Sequence, residues 1–225
     1  MDKLFPGSLV LARDLPPGPY YRLTVSNECH NGFKYKTGRN IDPLPFNPTG
    51  MCKAGGLYFC HATRLFLYRD WLTECNDTWI REVDLSEMKD EPVWCMPDKF
   101  KAHQLVLKER TKYSYYVDDY MPPAMVREMV MDRHWAIGAL RHQTPELCKI
   151  AIRHDAELVD CIRYQTPELC MMAVRRDPNA LRCVSWENRT VAVCVAAVKA
   201  APYLFNDCVP CNIATEVREK VTQTH

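Results

Sequence analysis

The sequence predicts an α+β chain. A small mixed α/β domain in the N-terminal half is expected to pack on a C-terminal α-solenoid of about four 22-residue helix-turn-helix repeats. Three observations carry this reading. Residues 142–148 read HQTPELC and residues 164–170 read YQTPELC, so one hexapeptide recurs after 22 residues. Apolar positions keep the same period: Ile137, Val159 and Leu181 form one series, and Leu140, Ile162 and Val184 another. A fixed short period marks a repeat array. Before residue 118 the pattern changes to short β-rich runs bounded by turn residues. The expected organisation is an irregular arm over 1–19, an α+β domain over 20–117, and helical repeats with a capping helix over 118–225.

The elements follow in order. Pro6, Pro16, Pro17, Gly18 and Pro19 make the arm irregular. Tyr20 to Val25 alternates and is rich in β-formers, which predicts a strand. Residues 31–50 read as turns, with Gly38, Pro43, Pro45 and Pro48. Gly56 to Cys60 reads as a buried strand, and Thr63 to Leu72 has helical spacing. Further strands are expected over Thr78 to Leu85, Pro92 to Met96 and Lys101 to Leu107. The charged, tyrosine-rich stretch Lys108 to Asp119 joins the two parts.

Each repeat opens on an N-cap threonine, Thr144 or Thr166, with proline at the first helical position, where a missing N–H costs nothing. Glu146 and Glu168 suit the helix dipole. Asp155 and Asp177 then break the first helix and cap a second. A degenerate unit covers Pro122 to Gln143, and a fourth covers Asn188 to about Pro210, with one extra residue before Leu204. The more polar helix from Ile213 to Val221 is expected to close the stack. A helix of about ten residues cannot bury its apolar face alone, so the units must stack.

Composition narrows the function. Hydrophobic residues are 47% and charged residues 25%, as in ordinary globular proteins, and the net charge is +1. Residues 1–117 carry 16 Lys/Arg against 14 Asp/Glu, so the basic excess that grips a phosphate backbone is missing and nucleic acid is not expected as a partner. No run of about 18 apolar residues predicts a membrane span. The start MDKLFPGSLVLARDLPPGPYY lacks a secretory signal, so the protein is expected to stay inside a cell. Seven of the 12 cysteines fall in the helical half and read as small buried residues with free thiols. The sequons at Asn76 and Asn188 are then chance matches.

Little catalytic chemistry is written in the chain. Cys29, His30, Cys52, Cys60 and His61 could offer zinc ligands, but Cys-x₂₋₄-Cys spacing is missing, so no metal is expected. Cys208 and Cys211 form a lone CxxC outside a βαβ setting. No Walker loop or dinucleotide fingerprint is present, and no cofactor is expected. His142, Tyr164 and Trp186 recur at one phase just before the helix starts, with Tyr120 in series before them. They either staple each helix start by packing on the next turn or form a shared binding ridge.

Two resemblances add to this. His30-Asn31-Gly32 followed by Gly55-Gly56-Leu57-Tyr58-Phe59 resembles the diphtheria-toxin type of ADP-ribosyltransferase. In that family an early strand bears a His-Gly pair, a later one a Gly-x-x-Tyr-Phe segment, and a late glutamate completes the site. The resemblance implies that His30 holds an NAD ribose and Tyr58 stacks on nicotinamide. Glu82 or Glu109 would then stabilise the oxocarbenium-like transition state. Here Asn31 separates His30 from Gly32. This reading requires an open cleft on which His30, Tyr58 and a glutamate converge; otherwise Leu57-Tyr58-Phe59 is core strand. Secondly, HNGFKYKTGRNIDPLPFNPTGMCKAGGLYFC, with Trp79 to Val83 and Lys99 to Ala102 downstream, resembles the N-terminal module of uncharacterised proteins of large DNA viruses of amoebae, of the mimivirus and marseillevirus kind. Helical repeats often follow that module. The resemblance implies a viral protein of the host cytoplasm or virion that binds a host or viral protein. The leading expectation is therefore a non-enzymatic interaction protein. Its alternatives are the transferase and self-assembly through the repeats.

Overall fold

The computed structural model describes residues 6–49, 53–68 and 77–223. The chain divides into two compact units, Met1–Met121 and Pro122–His225. The first is built on a large antiparallel sheet and the second on helices.

Ten strands form in the first unit: β1 (Leu9–Leu11), β2 (Tyr20–Val25), β3 (Cys29–His30), β4 (Phe33–Lys34), β5 (Gly38–Ile41), β6 (Leu57–His61), β7 (Thr78–Val83), β8 (Pro92–Cys95), β9 (Phe100–Ala102) and β10 (Gln104–Lys112). Eight of them make one sheet in the order β1-β8-β9-β6-β2-β7-β10-β5, and β3 pairs with β4 as a separate hairpin. Strand β6 is a corner. Leu57, Tyr58 and Phe59 pair with β9, whereas Cys60 and His61 pair with β2. A second corner lies at His103. The single strand expected over 101–107 is instead two strands: β9 pairs with β6 and β8, and β10 pairs with β5 and β7. Both parts of the sheet share one core, in which Leu57, Phe59, Val93 and Ala102 meet Tyr20, Val83, Leu105 and Leu107.

Other differences from the sequence reading have local causes. Leu9–Leu11 falls in the stretch expected to be irregular, yet its alternation suffices to pair with β8 as an edge strand. The expected helix over 63–72 is a 3₁₀-helix over Ala62–Tyr68, and its remainder lies outside the described residues. The turn-rich stretch after residue 31 contains β5, whose Asn40 Nδ2 donates to the carbonyls of Lys36 and Gly38, both at 2.8 Å.

In the second unit, α1 (Pro123–Asp132), α2 (Pro145–His154) and α3 (Pro167–Arg176) start 22 residues apart. Thr144 and Thr166 accept from the N–H of Leu147 and Leu169 as N-caps. The helix following each is not α but 3₁₀, over His134–Ala139, Ala156–Cys161 and Pro178–Cys183. Asp155 and Asp177 accept from the N–H two residues on, at 3.0 and 2.9 Å, which tightens these six-residue segments into the narrower helix. Helix α4 (Val191–Ala200) starts 24 residues after α3, because a 3₁₀ turn over Trp186–Asn188 intervenes. Helices α5 (Leu204–Cys208) and α6 (Ala214–Thr222) follow. Helix α2 packs on α3, α3 on α4, and the last two 3₁₀-helices on each other. No helix of the described residues is long and apolar enough to cross a membrane.

Candidate functional site

In the first unit a pocket of about 160 Å³ opens beside the β3–β4 hairpin. Asn31 and Gly32 are the two turn residues of that hairpin, at φ +50° and +79°, the left-handed pair that a two-residue turn needs. The turn therefore positions His30, on an exposed strand end, at the pocket wall. Phe33, Tyr35, Leu44 and Lys53 add further wall. Opposite stands Tyr58, buried in β6, whose hydroxyl donates to the Lys53 carbonyl at 2.8 Å.

The loop over 42–56 is locked from below. Asp42 accepts from the N–H of Leu44 at 2.9 Å and of Gly56 at 2.7 Å. Lys101 is fully buried, and its ammonium donates to the carbonyls of Asn47 and Lys53 at 2.8 and 3.0 Å. Lys99 and Lys101 each lie 5.3 Å from the Tyr58 ring centre. A third cation, Arg22, projects from the core face of β2. It is 7% exposed, donates from Nη1 to the Tyr58 carbonyl at 3.0 Å, and lies 4.4 Å over the Tyr35 ring. Burial, then the charges of Arg22 and Lys99, lower the His30 pKa. Burial raises the Tyr35 pKa, against the opposing pull of Arg22.

The structure thus brings His30 and Tyr58 to one pocket. It does not bring the two glutamates to them. Glu82 pairs with Lys108 at 2.6 Å, Glu109 is exposed on β10, and neither is among the pocket's lining residues. Of the zinc candidates, Cys29 is exposed, and His61 hydrogen-bonds Thr63 at 2.7 Å. Cys60 is buried, which pushes its thiol up to about 12. Cys52 lies outside the described residues. Cys208 is buried and Cys211 exposed.

In the second unit His142 and Tyr164 stand in the extended segments before α2 and α3, and Trp186 opens the 3₁₀ turn before α4. Tyr164 is 84% exposed, so it does not pack over its helix start. Trp186 is 58% exposed, and the Arg189 guanidinium lies 3.9 Å from its ring centre.

The glutamine of the repeated hexapeptide does the stapling. Gln143 Nε2 donates to the carbonyls of Ile137 and Cys161, both at 2.9 Å, and its Oε1 accepts from Arg163 N–H at 2.9 Å. Gln165 repeats the pattern with Val159, Cys183 and Ser185, at 2.9, 3.2 and 2.8 Å. Each amide ties the end of its own 3₁₀-helix to the end of the next. Arg189, buried at 7% exposure, takes this place before α4 and donates to the carbonyls of Val184, Arg182 and Cys208. The sequence reading passed over these residues, although the recurring glutamine was itself a signal. Arg22 was also visible, as an arginine on the same face of an alternating strand as Tyr20.

Fold and sites together define an α+β chain with a pocketed sheet unit and a unit of recurring helices. Set against known proteins, it is similar to two from Acanthamoeba polyphaga mimivirus. It is 34% identical over 95 residues to the putative ankyrin repeat protein R868, covering 39% of this chain and 44% of that protein. It is 43% identical over 51 residues to the uncharacterized protein R869, covering 22% of this chain and 37% of that protein. The chain therefore spans less than half the length of these curated relatives. Both similarities support an origin in a large DNA virus. No family model matches the chain, and no solved structure matches it.

Proposed function

We propose that this chain is a non-enzymatic viral protein that binds another protein through its C-terminal helical units, which stack as a short α-solenoid. One observation carries the reading. The residues that hold the units together, Gln143, Gln165 and Arg189, turn inward to backbone groups, while Tyr164 and Trp186 beside them stand in solvent. A residue that staples is buried; a residue at a repeat position that packs on nothing is available to a ligand. Exposed aromatics are common anchors in protein interfaces. The mimivirus relative named as an ankyrin repeat protein favours the same reading. The units here recur at 22 residues, not at the roughly 33 of ankyrin repeats, so the analogy is of role and not of repeat type. The partner is a host or viral protein, met in the host cytoplasm or in the particle.

The test is affinity capture from amoebal lysate, uninfected and infected, with the full chain and with residues 118–225 side by side. Proteins enriched by both support the reading. Enrichment by the full chain alone moves the function to the first unit.

A further inference from the structure

Arg22 presents a chemical anomaly. Its guanidinium is buried, yet among the described residues no carboxylate lies within ion-pair distance of it. A buried charge without a counter-charge costs several kcal/mol, on the order seen when one partner of a buried pair is removed, and such charges are rare unless something compensates them. Compensation here is partial. One face of the guanidinium lies on Tyr35, and Nη1 is bonded to the Tyr58 carbonyl. Nε is buried with no hydrogen-bond partner. The next residue on the same face of β2, Thr24, likewise has a buried Oγ1 without a partner. The other buried arginines are used differently. Arg81 is paired with Glu28 at 2.6 and 3.1 Å, and Arg189 spends its fork on three carbonyls.

The edge left over is the Nε–Nη2 edge. That edge can fork side-on to two oxygens of a carboxylate or phosphate. Tyr35 and Tyr58, which hold the guanidinium, both line the 160 Å³ pocket, and Lys53 stands at its exposed wall. Asp42, the carboxylate among the described lining residues, is committed to two backbone N–H groups. A pocket of this size is below the roughly 300 Å³ of a drug-sized site. It suits one charged headgroup, with the rest of the ligand outside.

We propose that this pocket is an oxyanion-binding site, in which Arg22 supplies the fork, Lys53 the rim charge, and Tyr35 and Tyr58 the walls, for the carboxylate or phosphate group of a larger ligand. It is independent of the interaction surface proposed for the helical unit.

The test titrates the full chain with inorganic phosphate and separately with acetate, against chloride at equal ionic strength, and follows thermal unfolding and the ¹⁵Nε resonance of Arg22. One anion raises the melting temperature and shifts the resonance; which one does so separates a phosphate from a carboxylate ligand. Arg22→Met abolishes the anion response while melting at or above the wild-type temperature, because the lone buried charge is gone. Arg22→Lys keeps the charge without the fork and gives a response weakened several-fold. The proposal is overturned by three results: an anion response that survives in Arg22→Met, no response to either anion, or an unmoved Arg22 resonance. Should Arg22→Met fail to fold, the resonance in the wild-type protein decides alone.

Discussion

Gly55 and Gly32 show how two glycines with nearly the same backbone carry different constraints. Both are left-handed, at φ +82° and +79°. A Cβ on Gly55 would lie 2.5 Å from the Pro45 carbonyl oxygen, whereas one on Gly32 would meet nothing within 4 Å. Gly32→Ala is therefore expected to cost about 1 kcal/mol from backbone strain, and Gly55→Ala about 3 kcal/mol or more once the clash is added. Urea unfolding checks the gap. Glu28 offers a second test. Its hydrogen bonds from Arg81 hold its pKa below the usual carboxylate value. Its stabilisation is therefore complete above that usual value and is lost as pH falls through the lowered one. Arg81 is 4% exposed in its side chain, so Glu28→Gln leaves a buried charge and is expected to cost about 3 kcal/mol at pH 7. The difference from wild type should narrow at about pH 3. A constant gap would show that Arg81 does not depend on the Glu28 charge.

The helical units were readable because threonine, proline and the apolar series each act locally. An N-cap, a first-turn proline and a 3.6-residue period need no distant partner to be recognised. The 3₁₀ character of the second segments was not readable, since it depends on six residues held between an aspartate cap and the glutamine staple of the next unit. The corner at His103 was hidden for a similar reason. Residues 101–107 alternate without a break, and only the partners, β6 and β8 on one side and β5 and β7 on the other, divide them. Pocket assembly was legible in part. The motif at 30–32 and the strand at 57–61 could be named from sequence, but their meeting, and Arg22 behind them, follow from strand order. Two substitutions test the unit architecture. Gln165→Ala strands three backbone groups and is expected to cost about 2–3 kcal/mol. Thr166→Ala removes one cap and is expected to cost about 1 kcal/mol. Arg175→Ala, on the exposed face of α3, should stay within about 0.5 kcal/mol. If Gln165→Ala unfolds no more easily than Arg175→Ala in urea, the staple is not a stabilising device.

The two units carry separate chemistry. Near-neutral charge in each half gives neither a general affinity for polyanions, so specificity has to come from particular surfaces. In the first unit that surface is a concave pocket with an uncompensated cation. In the second it is a series of exposed aromatics set by a 22-residue period. Self-assembly through the second unit is the competing use of the same residues, and mass in solution separates the two. A monomer at high concentration excludes it. The most direct test of the account compares capture from amoebal lysate by the intact chain and by its Tyr164→Ala/Trp186→Ala variant, quantified by mass spectrometry. Both positions are exposed, so the variant should fold as the wild type does. Loss of one defined set of partners in the variant is the expected result. Capture of the same proteins at the same level, or of none by either chain, would contradict it.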